Sequence, residues 1–196
     1  MKEVFLNNSI NLIKKYNAYN ETDIEKIRYG LEGIYLTITK LIVILVLSII
    51  FNIFKEIILV LVFLNIIRYP AFGVHADKSS ICLITSILLI FGLTLLISKI
   101  YISNTIKIIL CITCTIDYLV FAPADTIKRP LTNAKKRKYR KIASVILSIV
   151  YSIAIFLINT RIVSNTLLIS LIIEAIMINP LTYKALKMPY NNYKNC

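Results

Sequence analysis

The sequence predicts an all-α, polytopic membrane protein, and three observations lead to this prediction. The 196-residue chain is 58% hydrophobic and 17% charged, with a mean hydropathy of +0.76, which an ordinary soluble domain does not keep in water. The apolar residues form long runs that match the thickness of a bilayer. The positive charges lie between and beside these runs. We therefore expect about six transmembrane helices, the second one short, preceded by N-terminal amphipathic interfacial helices.

Five apolar runs are long enough to cross a hydrocarbon core, which needs roughly 17–25 residues. They are 36–54, 81–98, 105–122, 142–159 and 162–179. A sixth run, 56–67, is shorter, and its length alone favours an interfacial or re-entrant segment.

Charge decides how run 56–67 is placed. If it crosses, the segments on the inner side carry 19 of the 23 Lys and Arg residues. If it does not cross, the basic run at 128–141 faces away from the basic N-terminus, against the usual excess of cytoplasmic Lys and Arg. The sequence thus predicts six spans, with both termini and the loop containing His75 in the cytoplasm.

The region before the first long run contains two sets of apolar residues at helical spacing. They are Leu6, Ile10 and Ile13, then Ile24, Ile27 and Leu31. We expect two helices on the membrane surface, the second beginning near Thr22, where Glu25 completes a capping box. The chain is predicted to be one membrane domain, 1–196, with an amphipathic region at 1–35, a bundle at 36–180 and a cytoplasmic tail at 181–196. The N-terminus lacks the apolar core of a removable signal peptide.

The net charge of +13 does not indicate nucleic acid, because the basic residues form neither an amphipathic stripe nor a known reader motif. Cys111 and Cys114 form a C-x-x-C pair, but inside an apolar run they are expected to be small buried side chains rather than metal ligands. The sequence has no H-E-x-x-H motif. No metal, no cofactor and no nucleic-acid partner is predicted.

The candidate chemistry lies in the segment RYPAFGVHADKSSIC. His75 is the single histidine, and taken alone it is more simply a polar loop residue. Cys82 changes this interpretation, because Ser79 or Ser80 is a natural N-cap that places the thiol in the first turn of a helix. There the helix dipole and a nearby histidine stabilise the nucleophilic thiolate.

A Cys–His dyad requires a folded loop. On one continuous helix, seven residues separate two positions by about 10.5 Å, too far for contact. Gly73 provides backbone freedom and the stretch 77–80 favours a turn or cap, so the sequence permits the bend. The amides of the helix N-terminus are also suited to hold the oxyanion of acyl transfer. A third catalytic residue is not identified, and the intramembrane acids Asp117 and Glu174 are not assigned to catalysis.

The sequence resembles the accessory gene regulator B (AgrB) family of membrane endopeptidases over most of the chain. Three features carry the resemblance: the R-x(4)-G-x-H-A…C block from Arg68 to Cys82, the later block APADTIKRPLTNAKKRKYRK and the entry NETDIEKIRYGLEGIY. Family members often have two glycines before the aromatic-His pair, where this chain has Phe72, Gly73 and Val74.

The resemblance implies a bacterial membrane cysteine endopeptidase with Cys82 as nucleophile and His75 as general base and acid. Its substrate is then a precursor peptide of the AgrD type, cleaved through an acyl-enzyme and closed into a thiolactone or lactone ring. Basic residues are candidates for gripping the precursor, or equally for facing lipid headgroups. These substrate-binding candidates are Arg68, Lys135, Lys136, Arg137 and Lys138.

Partners are therefore the precursor, the lipid bilayer and, as a further possibility, a second copy of the chain. Two alternatives stay open. A small transporter or peptide exporter would tolerate loss of both dyad residues, and a purely structural membrane partner would form no acyl-enzyme.

Overall fold

The computed structural model describes residues 2–16, 20–74, 79–126 and 130–195. Over these residues the chain is helical, as predicted. It has isolated β-bridges, such as the one between Phe72 and Ala124, and the described residues contain no β-strand. It divides into two compact units, Met1–Val46 and Leu47–Cys196. The predicted division of the chain at residues 35 and 180 stays a prediction.

The first unit contains α1 (Lys2–Tyr16) and most of α2, which runs from Glu21 to Ile50. Side chains of α1 pair with the first half of α2, with Lys2 Nζ 2.7 Å from Glu32 Oε1 and Arg28 Nη2 2.6 Å from Glu3 Oε2. Of the two helices predicted before the first span, α1 is a separate helix; the second is not separate, because α2 continues without a break into the span. No proline interrupts this stretch, and Thr37 and Thr39 hydrogen-bond to backbone carbonyls of their own helix.

The second unit begins at Leu47, within the last turn of α2, and continues through a turn in which Asn52 has a positive φ of 55°. Its helices are α3 (Phe54–Ala71), α4 (Ser79–Ser86), a π-helical segment (Ile87–Gly92), α5 (Leu93–Lys99), α6 (Asn104–Phe121), α7 (Ala134–Leu157), α8 (Arg161–Ile178) and α9 (Pro180–Ala185). A 3₁₀ turn at Asn192–Asn195 follows.

Local sequence explains where several of these helices begin. Ser103 accepts a hydrogen bond from the backbone N–H of Ile106, and Asn133 accepts one from Lys136, so both act as N-caps. Asn179 caps α9, with Pro180 at the first helical position. Because Asn133 is the cap, α7 begins eight residues before the apolar run predicted at 142, and the basic residues 135–141 are helical.

Among the described residues, five helical stretches are long and apolar enough to cross a membrane. They are Glu21–Ile50, Ile81–Lys99, Asn104–Phe121, Ala134–Leu157 and Arg161–Ile178. The sixth predicted span, 56–67, lies within α3, an 18-residue helix whose charges Lys55, Glu56 and Arg68 stand near its ends. Whether α3 also crosses stays a prediction.

Helix α8 is the centre of the second unit. Within its apolar window 72% of the residues are buried, against 22% in the windows of α6 and α7. Helices α3, α5, α6 and α7 all pack against it. Outward-facing side chains such as Ile109 and Ile112 on α6 are more than half exposed, which suits contact with lipid. Helix α8 therefore supplies much of the buried core of the second unit.

Candidate functional site

The chain leaves α3 through a short segment that is hydrogen-bonded to the loop after α6. Phe72 and Gly73 both have positive φ, 68° and 105°. The Gly73 N–H donates to the Ala124 carbonyl at 2.9 Å, and the Ala124 N–H donates to the Ala71 carbonyl at 3.0 Å. These bonds form a parallel bridge between Phe72 and Ala124.

Val74, the next residue, is fully buried and fixed from both sides. Its N–H donates to the Met177 carbonyl in the last turn of α8 at 2.9 Å. Its carbonyl accepts a hydrogen bond from Arg68 Nη2 at 3.2 Å. Val74 is bonded directly to His75, which lies outside the described residues together with Asp77. The predicted position of His75 is therefore neither supported nor contradicted by coordinates.

Glu174 lies against this segment from α8. A Cβ atom added to Gly73 would be 3.1 Å from Glu174 Oε1 and 3.2 Å from Met177 Cβ, so glycine is required by both space and φ. The Glu174 side chain is completely buried. Within the described part of the chain, neither of its carboxylate oxygens has a hydrogen-bond partner. The Arg68 guanidinium is near enough to interact with this carboxylate electrostatically.

Asp125 organises the loop that pairs with Phe72. It is 2% exposed. Its Oδ1 accepts the N–H of Asn192 at 2.9 Å, and its Oδ2 accepts those of Tyr193 at 2.8 Å and Leu131 at 3.2 Å. One carboxylate thus connects the loop after α6 with the C-terminal segment.

Tyr183 of α9 also hydrogen-bonds to the loop after α6. Its hydroxyl lies 3.0 Å from the carbonyl oxygens of both Ala124 and Asp125, and donates to them. Burial raises the pKa of the Tyr183 phenol well above its ordinary value, and the Asp125 carboxylate raises it further. The hydroxyl therefore keeps its proton and acts as a donor.

We call this structure the loop anchor and define it as Arg68, residues 71–74, residues 122–125, Met177 and Tyr183. Its bonds join α3, the loop after α6, the end of α8 and α9. Its effect is to fix the last residue before His75 to the interior of the protein.

Cys82 lies on the other side of the undescribed stretch 75–78. Helix α4 already includes Ser79, so the predicted cap at Ser79 or Ser80 is wrong, and Cys82 is the fourth helical residue. The predicted second or third helical position of Cys82 differs from this by one or two residues. The amides without an acceptor within the helix are those of the residues that precede Cys82 in the first turn. The side chain is half-buried and is not part of a disulfide.

Chain length limits the distance between Val74 and the start of α4. Five Cα–Cα steps join Val74 to Ser79, which allows about 19 Å at most. The first turn of α4 therefore starts near the same end of the bundle as the loop anchor.

The predicted substrate-binding residues of α7 fall into two groups. Lys135 and Lys136 are exposed. Arg137 and Lys138, together with Lys141, line a half-open cavity of about 540 Å³ that also touches the end of α6 and the C-terminal segment. The Arg137 guanidinium stacks over the Tyr193 ring, 3.5 Å from its centroid.

Arg140, which sequence reasoning did not single out, connects the basic run to the loop anchor. Its Nη1 donates to the Tyr69 carbonyl at 2.7 Å, and its guanidinium lies 4.4 Å from the centroid of the Phe72 ring. Sequence gave no signal for this bond, because Arg140 looks like any other member of the run.

Cys111 and Cys114 are buried in α6, as predicted, with 4% and 5% exposure. Within the described residues there is no cluster of three or more His, Cys, Asp or Glu side chains placed to hold a metal. Asp117 is half-buried on the same helix.

Comparison with known proteins gives a consistent result. The sequence profile of the accessory gene regulator B family matches residues 6–178. A putative AgrB-like protein of Clostridium acetobutylicum is 31% identical over 183 residues, covering 92% of this chain and 87% of the relative. The accessory gene regulator protein B of Staphylococcus aureus is 29% identical over 171 residues, covering 87% and 90%. No solved structure matches the chain significantly.

Proposed function

The chain belongs to the accessory gene regulator B family of quorum-sensing systems, and from this membership and the geometry above we propose that it is a membrane-embedded cysteine endopeptidase. Its substrate is a precursor peptide of the AgrD type. It removes the C-terminal tail of this precursor through an acyl-enzyme and promotes closure of a thiolactone or lactone ring.

In this proposal Cys82 is the nucleophile and His75 is the general base. His75 takes the thiol proton, and the thiolate attacks the scissile carbonyl. The amides in the first turn of α4 face the developing oxyanion. When the C–N bond breaks, His75 returns the proton to the amine of the departing tail. An internal thiol or hydroxyl of the precursor then attacks the thioester, loses its proton to His75, closes the ring and releases Cys82.

The observation that carries the proposal is the fixed backbone of Val74, five residues before the start of α4 in the chain. Both backbone groups of Val74 are hydrogen-bonded to protein, which gives the following residue, His75, a defined starting point. The half-buried thiol of Cys82 stands in the first turn of the helix that resumes five residues after Val74. A fixed residue before His75 and a helix start before Cys82 support a Cys–His dyad on a folded loop.

Basic residues of α7 are proposed to hold an anionic part of the precursor. A helix N-terminus carries a partial positive charge, so a run of Lys and Arg in its first two turns is locally unfavourable without an anion. Arg137 and Lys138 line the cavity beside α7, and Lys135 and Lys136 do not, so the first two are preferred as the binding residues. Arg68 already binds the Val74 carbonyl, so its proposed contact with substrate is secondary to holding the loop.

The bilayer is the second proposed partner, since the exposed apolar faces of the helices need lipid. We place the termini, the basic run and the dyad on the cytoplasmic side of the bacterial membrane, because this orientation keeps most Lys and Arg inside. Homodimerisation stays a prediction.

The dyad is tested by purifying the Cys82→Ala and His75→Ala variants and measuring tail release from the cognate precursor by mass spectrometry. Each variant should lose tail release while inserting normally into membranes. Cys111→Ala is the matched control and should keep wild-type cleavage, because that thiol is buried in α6. Unchanged cleavage in Cys82→Ala would favour a transporter or structural protein instead.

The cavity is tested by charge reversal. Arg137→Glu with Lys138→Glu should raise KM about tenfold or more, because negative charges lining the cavity repel an anionic ligand. Lys135→Glu with Lys136→Glu carries the same change of charge outside the cavity and is the matched control. Equal KM values for the two pairs, with orientation verified, would assign the run to lipid and topology.

A further inference from the structure

The C-terminal segment, residues 189–193, forms one wall of the cavity beside α7. Tyr190, Asn191 and Tyr193 line this cavity of about 540 Å³. The remaining lining residues belong to the end of α6, to the two residues that follow it and to α7. A ligand in the cavity therefore touches the C-terminal segment as well as the basic residues of α7.

This wall is fixed to the interior of the protein. The backbone N–H groups of Asn192 and Tyr193 donate to the Asp125 carboxylate at 2.9 Å and 2.8 Å. Asn192 is buried, and its Nδ2 donates to the Pro189 carbonyl at 3.0 Å. The Tyr193 ring is therefore attached to a backbone of defined position.

Tyr193 contacts one of the three basic residues that line the cavity. The Arg137 guanidinium carbon lies 3.5 Å from the centroid of the Tyr193 ring, and Arg137 is half-buried. Lys138 and Lys141 are exposed. In the described part of the chain, none of these three cations forms an ion pair with a carboxylate. Positive charge of this kind favours an anionic ligand.

The stacked geometry decides which anion fits. An aromatic ring covers the flat face of a guanidinium and leaves the N–H groups at its edge free to donate. Two parallel N–H groups of this edge match the two oxygens of a carboxylate. A peptide offers this geometry through the side chains of Asp and Glu. The Arg137 guanidinium, held on one face by Tyr193, is thus prepared for a planar, bidentate ligand.

We propose that Tyr193 is a positioning residue for substrate binding: its ring fixes the Arg137 guanidinium so that the guanidinium edge binds one carboxylate of the precursor peptide. Lys138 and Lys141 raise the local positive potential and contribute charge rather than shape. This inference rests on the proposed function and narrows its anionic ligand to an Asp or Glu side chain. Tyr193 acts through Arg137, and Arg137 determines the specificity.

Attraction by charge alone is the alternative. A diffuse positive patch, including one that faces lipid headgroups, depends on the number of charges and not on the shape of a guanidinium. Arg137→Lys keeps the charge and removes both the planar edge and the stacking partner of Tyr193. Charge alone therefore predicts an unchanged KM for Arg137→Lys, and the positioning role predicts a raised KM.

The test measures kcat and KM for tail release by the purified full-length enzyme acting on its cognate precursor. Arg137→Lys removes the planar edge, and Tyr193→Leu and Tyr193→Met each remove the ring, so failure of one to accumulate leaves the other. Tyr193→Phe keeps the ring. Lys138→Arg, a change of cation type at the neighbouring lining position, is the matched control. Alkylation of Cys82 by iodoacetamide, which requires no precursor binding, shows whether the nucleophile is intact in each variant.

Arg137→Lys, Tyr193→Leu and Tyr193→Met should each raise KM about tenfold and keep kcat within about twofold of wild type, because they remove an interaction that only binds the substrate. Tyr193→Phe and Lys138→Arg should keep the wild-type KM. Arg137→Lys combined with Tyr193→Leu should be no worse than either change alone, because both remove one shared interaction. A wild-type KM for Arg137→Lys, or for both ring-removing variants, overturns the inference. A combined KM that rises by the product of the two single effects overturns it as well.

A set of precursor peptides in which each Asp or Glu is replaced singly by its amide identifies the bound carboxylate. One of these peptides should bind wild type and Arg137→Lys equally weakly. An equal, small loss at every acid would indicate charge alone and contradict the inference. The dissociation constant of fluorescently labelled precursor gives the same comparison without cleavage. Tail release by Cys82→Ala would therefore overturn the proposed function, and binding would still decide the role of Arg137 and Tyr193.

Discussion

The two chain segments that flank residues 75–78 are held in very different ways. On the histidine side, Val74 is fully buried and bonded through its backbone to α8 and Arg68. On the cysteine side, α4 has eight residues, exposes Ile84 by 57% and passes directly into the π-helical segment Ile87–Gly92. The segment before the proposed base is therefore part of the protein core, whereas the helix that carries the proposed nucleophile exposes apolar side chains at the surface of the bundle.

This difference has a mechanistic meaning within the proposed function. A base that must exchange protons with three successive groups benefits from a fixed position. A nucleophile that must receive a peptide substrate benefits from a helix at the surface of the bundle, where the peptide can reach it. π-helical turns within α-helices are frequent at functional sites, in keeping with this division.

The largest effect is expected from a glycine pair that contrasts the two sides. Gly73→Ala forces a Cβ against Glu174 and Met177 at a φ of 105°, whereas at Gly92 the nearest atom, the Ile87 carbonyl oxygen, is an ordinary 3.8 Å away. Gly73→Ala should cost about 1–3 kcal/mol of stability and lower precursor cleavage about 100-fold. Gly92→Ala should be neutral or slightly stabilising. Thermal unfolding and cleavage rates measure both, and similar losses in the two variants would remove the contrast.

A smaller effect is expected at the carboxylate that ties the loop after α6 to the C-terminal segment. Asp125→Asn replaces an acceptor of three backbone N–H groups by an amide with one acceptor oxygen. The expected loss is about 2 kcal/mol in the free energy of unfolding. Asp23→Asn, at an exposed pair with Lys26, is the control and should stay within about 0.5 kcal/mol of wild type. An equal change at both positions would show that Asp125 does not organise the loop anchor.

The smallest effect is expected from the hydroxyl of Tyr183. Tyr183→Phe removes the donor to the Ala124 and Asp125 carbonyls and should cost about 1 kcal/mol at neutral pH. The folded-state pKa of this phenol is raised above its ordinary value of 10.0, so the stabilisation is full below that pH and is lost as the pH rises above it. The difference between wild type and Tyr183→Phe in denaturant melts should therefore shrink above pH 10. A difference that is constant with pH would contradict the buried, protonated hydroxyl.

Sequence reasoning located the apolar helices well, because their signal is local. The runs predicted at 105–122 and 162–179 begin and end within one residue of α6 and α8. It failed at α2, where a polar first half suggested a separate surface helix although the backbone is one continuous helix. An amphipathic pattern indicates which face of a helix is apolar, but it does not indicate where the helix ends.

The loop anchor could not be predicted in the same way. Most of its bonds join residues far apart in the sequence, such as Gly73 and Ala124, or Val74 and Met177. Asp125 stands in the block APAD that supported the family resemblance, yet nothing local reveals that its carboxylate binds Asn192 and Tyr193. Glu174 was visible as an acid inside a span, but its contact with Gly73 depends on packing. Sequence thus identified candidate chemistry, and the fold identified what holds it in place.

The central claim is that Cys82 carries the acyl group of the precursor. It is tested most directly by mixing the purified enzyme with its cognate precursor, quenching with acid within the first turnovers and measuring the intact mass of the protein. The account predicts an adduct equal to the precursor without its C-terminal tail, located on Cys82 by peptide mapping and absent in Cys82→Ala. Tail release by wild-type enzyme with no adduct at any time, or an adduct that persists in Cys82→Ala, would contradict it.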